Sequence, residues 1–274
     1  MNFGYEDVAE EGRFERLCEL LDHDTSPWRA GIVPPLGHWL CFLPRCRQSR
    51  LGLDGHPGRS GDGLFPPEGL PRRMWAGSRV RFLQDIPLGA TMLRRTRILS
   101  QVPKEGHSGR MLFVTLAHEI TTSDGTPSIV EEQDLVYREP ADTIVREALP
   151  VQAARLDVTE EDPGALMRVV AIDAVAMFRY SALTYNAHRI HYDRSYAREI
   201  EGYSGLVVHG PLIATLLLDA VLREQPRSRV GTFNFRARSP VYDSEPMRLF
   251  RNGDDLVAAS PRGIAMTAEC RIDR

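Results

Sequence analysis

Residues 211–222, reading PLIATLLLDAVL, constrain this chain most: Thr215 and Asp219 are their only polar members. A helix that is apolar all round must lie inside a fold. This one is too short for the ~20 residues of a membrane span. What surrounds it follows in the sequence. Residues 230–238, 247–251, 256–260 and 264–272 read as strands, and Asn252-Gly253 suits a tight hairpin turn. Ile264, Met266, Ala268, Cys270 and Ile272 alternate, which predicts one buried face. A sheet wrapped round one buried helix accounts for both signals.

The first half repeats the strand run. Residues 79–84, 91–102, 110–121 and 128–138 are separated by turn-forming segments, and Leu112, Val114, Leu116 and Ile120 share a face. Its central helix is less clear, with the apolar knot 38–43 as the one candidate. The expectation is therefore an α+β double hot dog, two antiparallel sheets each around a helix, with a degenerate N-terminal half. Residues 5–23 are predicted helical, with Phe14, Leu17, Cys18 and Leu21 on one face. Residues 51–63 hold five glycines and read as a loop. Residues 173–185 are a mixed apolar stretch. Residues 139–164 carry Pro140, Pro150, Pro163 and an acidic cluster. The domain boundary is placed there, between an N-terminal domain 1–145 with a helical and loop extension and a catalytic domain 146–274.

Composition narrows the function. In 274 residues, 34 basic against 37 acidic side chains leave a net charge of −3, which is not the basic excess of a nucleic-acid binder. The acidic start, Met1 to Asp7, has no apolar signal core, so no membrane partner and a cytoplasmic location are expected. Cys41 and Cys46 lack a second pair to complete a zinc site, so free thiols and no metal are expected. The glycines of 51–63 are not followed by a phosphate-loop Gly-Lys-Ser/Thr, and Ser204-Gly205 lacks a nucleophile-elbow context.

Three histidines, His188, His191 and His209, fall close together in Tyr180-Ser-Ala-Leu-Thr-Tyr-Asn-Ala-His-Arg-Ile-His-Tyr-Asp193 and in His209-Gly210-Pro211. These segments resemble the hydratase 2 or MaoC-like family, whose signature is Asp-x-Asn-Pro-Ile/Leu-His followed by a His-Gly at the start of the hot-dog helix. The variant here is similar to the type 2 hydroxyacyl-thioester dehydratases. His38-Trp39-Leu40-x-Phe42-Leu43-Pro44 and the run 70–77 (LPRRMWAG) resemble the N-terminal hot dog of itaconyl-CoA and mesaconyl-C4-CoA hydratases.

The resemblance implies reversible addition of water to an unsaturated acyl thioester, with coenzyme A as part of the substrate and no separate cofactor. By position, His191 takes the catalytic histidine's place and Asn186 the aspartate's. An amide cannot take a proton at ordinary pH. His191 is then the base, suited by an ordinary pKa of about 6.5, and Asn186 holds the water.

Pro is favoured at the first helical position, so Gly210 reads as the helix N-cap. Its N–H is free to meet an enolate-like oxygen. His209 is either a donor behind the site or structural. Arg189 stands where the family usually has Pro. It could grip a substrate carboxylate, pair with Asp193 or bind a CoA phosphate. Arg72 and Arg73, near Trp75, carry the same ambiguity against a plain solvated pair.

The substrate expected first is itaconyl-CoA, giving citramalyl-CoA, with mesaconyl-C4-CoA as a rival leading to the same product. The alternatives are a 3-hydroxyacyl-thioester dehydratase of fatty chains, a hot-dog thioesterase and a non-catalytic acyl-CoA binder. A homodimer stays open.

Overall fold

A computed structural model describes residues 3–57, 69–106, 109–140 and 163–273. The domain boundary placed between 145 and 146 lies outside them, as do most of the expected linker and the end of the glycine-rich loop.

The chain begins with strand β1 (Phe3–Val8) and helix α1 (Glu11–Leu20). After a long irregular stretch come β2 (Arg72–Phe82), β3 (Thr91–Gly106), β4 (Gly109–Thr122) and β5 (Pro127–Arg138). The second half holds β6 (Ala165–Ala171), α2 (Ala174–Thr184), α3 (Gly210–Glu224), β7 (Val230–Ala237), β8 (Pro246–Asn252), β9 (Asp255–Ser260) and β10 (Gly263–Ile272). The expected helix over 5–23 is thus shorter. Residues 3–8 pair with β3 instead, because an edge of the sheet is available to them.

The expected pair of sheets is one continuous antiparallel sheet in the order β1-β3-β4-β5-β2-β7-β10-β9-β8-β6. Each half contributes five neighbouring strands, and β2 joins β7 edge to edge with Gly77 opposite Arg236. A Cβ on Gly77 would lie 2.4 Å from the Phe235 carbonyl oxygen, so the bare backbone lets the halves meet. Fusing the sheets removes two exposed strand edges, which would otherwise invite pairing with other chains.

In the second half α3 packs against β7, β9 and β10 and is buried from Leu212 to Leu222. The one acid in that buried stretch is compensated. The buried Asp219 carboxylate accepts from His23 Nε2 at 2.5 Å, Arg223 Nε at 2.8 Å and Arg168 Nη1 at 3.2 Å. A buried charge is tolerated only when paired in this way, and the pairing ties α3 to β6 and to the segment after α1. On β10, Met266, Ala268 and Cys270 are buried as the alternation requires. A register shift between Ile264 and Met266 turns Ile264 outward, to 43% exposure. The β8–β9 turn centres on Gly253-Asp254, one residue beyond the expected Asn252-Gly253.

The first half has no counterpart to α3 among the described residues. The knot 38–43 forms only a 3-10 turn, Gly37–Leu40, and it brings polar groups inside. The buried Glu131 accepts from His38 Nε2 (3.1 Å), Ser78 Oγ (2.6 Å) and the Trp39 indole (3.2 Å). Burial alone would raise its pKa. Hydrogen bonding and charge from His38 outweigh that and hold it down to about 2.

Candidate active site

The site is built where α2 ends. Asp173 caps α2 by accepting from Ala176 N–H at 2.8 Å, and Tyr185 closes it in the left-handed region with φ 49°. The Asn186 side-chain oxygen then accepts the His188 N–H at 3.0 Å, making a turn that leads into the 3-10 turn Arg189–His191. Two bonds pin that turn to the next segment. Val207 N–H donates to the Ile190 carbonyl at 2.9 Å, and His191 Nδ1–H donates to the Val207 carbonyl at 2.7 Å.

The second bond decides the His191 tautomer. A carbonyl can only accept, so Nδ1 carries the proton and Nε2 keeps its lone pair. Burial lowers the His191 pKa to about 4, against the smaller opposite effect of the Val207 bond. The ring is therefore neutral at ordinary pH.

His209 lies under it, ring centroids 3.7 Å apart and planes 20° from parallel. His209 Nε2 is 2.8 Å from Ser181 Oγ, and its buried Nδ1 has no partner among the described residues. Burial lowers the His209 pKa well below its ordinary value, with the charges of His191 and His188 adding to the effect. His188 stands edge-on to His191 with centroids 5.4 Å apart.

The N-cap of α3 is His209 rather than Gly210, since His209 is extended (ψ 127°) and its carbonyl accepts the first helical bond from Ile213. Gly210 is the first helical residue. Its N–H still has no acceptor within the helix, at the positive end of the helix dipole. A Cβ on Gly210 would sit 3.8 Å from the Trp75 carbonyl, so the β2 backbone passes over this helix start.

The structure turns three expected binding groups to other tasks. Arg189 pairs with Asp193 (Nη2–Oδ2 2.7 Å), donates from Nη1 to the Leu53 carbonyl at 3.0 Å and lies 4.1 Å from the Tyr196 ring centroid. It is the pairing alternative, not the carboxylate grip, that its contacts match. Arg72 Nε donates to Glu201 at 2.6 Å. The Trp75 indole donates to Gly77 O and Ser78 Oγ and packs edge-on to Trp39 with centroids 5.1 Å apart. The Arg73 guanidinium alone of the four side chains makes no hydrogen bond or close ion pair with the described residues, though its charge is felt at the Asp54 carboxylate. Its charge lowers the pKa of both His56 and His188.

His56 and Asp54 had not been expected here, beside the His188 of the histidine motif. The glycine-rich loop folds onto the histidine segment. Arg189 N–H donates to the Asp54 carbonyl at 2.8 Å, and a Cβ on Gly55 would lie 1.9 Å from the Ala187 carbonyl oxygen. The His56 ring meets that of His188 at 4.3 Å. Ring nitrogens of His56 and His188 and a carboxylate oxygen of Asp54 lie within 4.8 Å of one another, a donor set of the type that divalent metals use. Burial, with Arg73 next in size, lowers the His56 pKa to about 3, and burial raises that of Asp54.

Comparison with known proteins accords with this geometry. The family described as hydroxyacyl-thioester dehydratase type 2 matches residues 36–243. The chain belongs to this family. It is 46% identical over 242 residues to mesaconyl-C4-CoA hydratase of Chloroflexus aurantiacus, covering 87% of this chain and 82% of that one. It is 25% identical over 260 residues to the mitochondrial hydroxyacyl-thioester dehydratase type 2 of Schizosaccharomyces pombe, with the same coverage. Among solved structures, HtdX of Mycobacterium tuberculosis superposes over the whole of both chains with TM-score 0.68 at 17% identity. A second protein of that organism, described as a double hot dog, matches 99% of this chain and 95% of its own with TM-score 0.60 at 12% identity. The fold is the double hot dog of the MaoC-like dehydratases, and the chain is a lyase of the hydratase type. No helix among the described residues is long and apolar enough to cross a membrane.

Proposed function

We propose that this type 2 dehydratase-family member hydrates an enoyl-CoA whose acyl group carries a free carboxylate, with mesaconyl-C4-CoA as the leading substrate. The observation that carries the reaction is His191: a buried, neutral ring with Nδ1–H committed to Val207 and Nε2 without a hydrogen-bond partner among the described residues. In the forward direction Nε2 takes a proton from water, and the water oxygen bonds to the β-carbon. The alkene electron pair moves to the α-carbon and onto the thioester oxygen, beside the Gly210 N–H and the positive end of α3. His191 then returns the proton to the α-carbon, so no net proton is gained or lost. Asn186 shapes the turn that aims His191, and its second carbonyl lone pair remains for the water.

Two considerations favour mesaconyl-C4-CoA over itaconyl-CoA, the substrate expected first. The relative at 46% identity bears that name. The chemistry agrees: in a mesaconyl C4 thioester the double bond is conjugated with the thioester carbonyl, so the oxygen beside Gly210 can take up charge as water adds. In itaconyl-CoA the double bond is one carbon further away. A dehydratase acting on fatty 3-hydroxyacyl thioesters is the competing reading, from the family description.

Loss of enoyl-thioester absorbance tests the proposal, with kcat/KM compared for mesaconyl-C4-CoA, itaconyl-CoA and crotonyl-CoA. Preference for mesaconyl-C4-CoA is expected. Equal turnover of crotonyl-CoA would transfer the assignment to neutral chains, and release of free thiol without hydration would make the protein a thioesterase.

A further inference from the structure

Residues from the N-terminal half stand beside the catalytic histidine with no task in the hydration step. Arg73 lies two residues before Trp75 on β2, the strand whose Trp75 carbonyl passes over the Gly210 helix start. Its guanidinium makes no hydrogen bond or close ion pair among the described residues, and its charge is felt at His56, at His188 and at the Asp54 carboxylate. The two histidine rings meet at 4.3 Å with their planes tilted by 40°, and His188 in turn stands edge-on to His191. Arg189 and Arg72 cannot serve the same purpose, because Asp193 and Glu201 hold them.

We propose that Arg73, His56 and His188 form the subsite that binds the free carboxylate of the substrate, delivered by loop 51–57 and β2 to the face of His191. The proposal rests on the dicarboxylic reading above and names its recognition element.

Position supports it. In a mesaconyl C4 thioester the free carboxylate is bonded to the carbon that water attacks. Whatever binds it must therefore adjoin the general base, and of the two rings against His191 it is His188 that also meets His56. The chemistry also fits. A neutral imidazole offers one N–H to a carboxylate, and a guanidinium offers a fork of them. A neighbouring arginine makes the corner attractive to an anion.

Asp54 does not spoil this. One of its carboxylate oxygens accepts the His56 backbone N–H at 3.0 Å and belongs to the turn of the loop, which leaves the His56 ring N–H for a ligand. The positive charge of Arg73, felt at both histidines, works against a divalent cation on the same donors.

The loop is also made to be placed closely. Gly55 has φ +85° and no room for a side chain against Ala187, and Arg189 fastens the loop through both its backbone N–H and its guanidinium. Arg189 thus contributes to specificity as a positioning residue, holding the loop that carries His56.

The test measures kcat/KM for mesaconyl-C4-CoA and for crotonyl-CoA in wild type, Arg73→Met, His56→Leu and His56→Gln, each with and without EDTA. Folding is checked by thermal unfolding. Arg73→Met and His56→Leu should each lower the mesaconyl-to-crotonyl ratio by about 10-fold to 10²-fold, the scale of losing a charge-assisted or buried polar contact. His56→Gln, which keeps a donor, should recover part of the ratio. If wild type prefers the dicarboxylic ester and no variant moves the ratio, the subsite is wrong while the substrate reading stands. If wild type shows no such preference, the substrate reading itself fails. Activity lost to EDTA and restored by zinc would make the cluster a metal site and overturn the inference.

Discussion

Replacing Gly55 by alanine would separate the seating of loop 51–57 from general stability. The added Cβ would lie 1.9 Å from the Ala187 carbonyl oxygen, and real Cβ atoms essentially never approach closer than 3.0 Å. Loop and histidine segment must therefore part by roughly 1 Å. That movement strains or breaks the 2.8 Å bond from Arg189 N–H to the Asp54 carbonyl, a loss of about 1 kcal/mol. Alanine at φ +85° adds about 1–2 kcal/mol of backbone strain. A total of roughly 2–3 kcal/mol corresponds to a fall in Tm of about 4–10 °C. Misplacement by about 1 Å beside the chemistry should lower kcat/KM by about 10²-fold.

Gly89→Ala is the control, since Gly89 has φ +79° and nothing within 4 Å of its Cβ position. It should lose stability through strain and keep its activity. The assays are thermal unfolding and enoyl-thioester hydration. If Gly55→Ala keeps kcat/KM within about threefold of Gly89→Ala, loop 51–57 is not part of the site and the placement argument is wrong.

Three more expectations can be checked directly. Activity needs neutral His191, whose pKa burial lowers to about 4. The pH profile of kcat/KM should therefore stay level down to about pH 5 and fall below it, whereas a midpoint near 6.5 would mean a solvated base. Stability follows the same sign: the unfolded chain protonates these histidines first, so stability is present above about pH 6.5 and is lost as pH falls towards the lowered folded values, measurable by urea unfolding at pH 7 and 5. Arg189→Met should lower Tm and reduce mesaconyl-C4-CoA turnover through misplacement of the loop, and a second substitution at Gly55 should add little to that activity loss because both act on one element. Asp219→Ala should cost about 3 kcal/mol in urea unfolding by stranding the charges of Arg168 and Arg223 and removing the hydrogen-bond partner of His23, and a loss under 0.5 kcal/mol would show that this buried cluster holds nothing together.

The sequence made the second half legible because its signals are local. All-round apolarity marked α3, and period-2 alternation marked β7 to β10. The central pair of the site, His191 and the Gly210 helix start, lies within one motif and was read as such. What escaped depends on distance. β1 is a strand only because β3 offers an edge, although α1 beside it has the helical period. β6, with Leu166 and Val169 exposed, lacks the buried alternation that announces a strand. Arg189 looked like a substrate group because its partners, Leu53 and Tyr196, are brought to it by folding. His56 and Asp54 sit far from the histidine motif in sequence. Their one signal was the density of glycine in 51–63, which marks backbone that another segment must approach closely.

The most direct test is the hydration rate of mesaconyl-C4-CoA by His191→Ala, measured beside wild type at pH 7 after circular dichroism has shown the fold intact. Loss of the base should lower kcat by about 10²–10⁴-fold. A variant that keeps more than a tenth of wild-type kcat would remove His191 from the chemistry, and with it the hydration mechanism argued from its Val207 hydrogen bond and its burial.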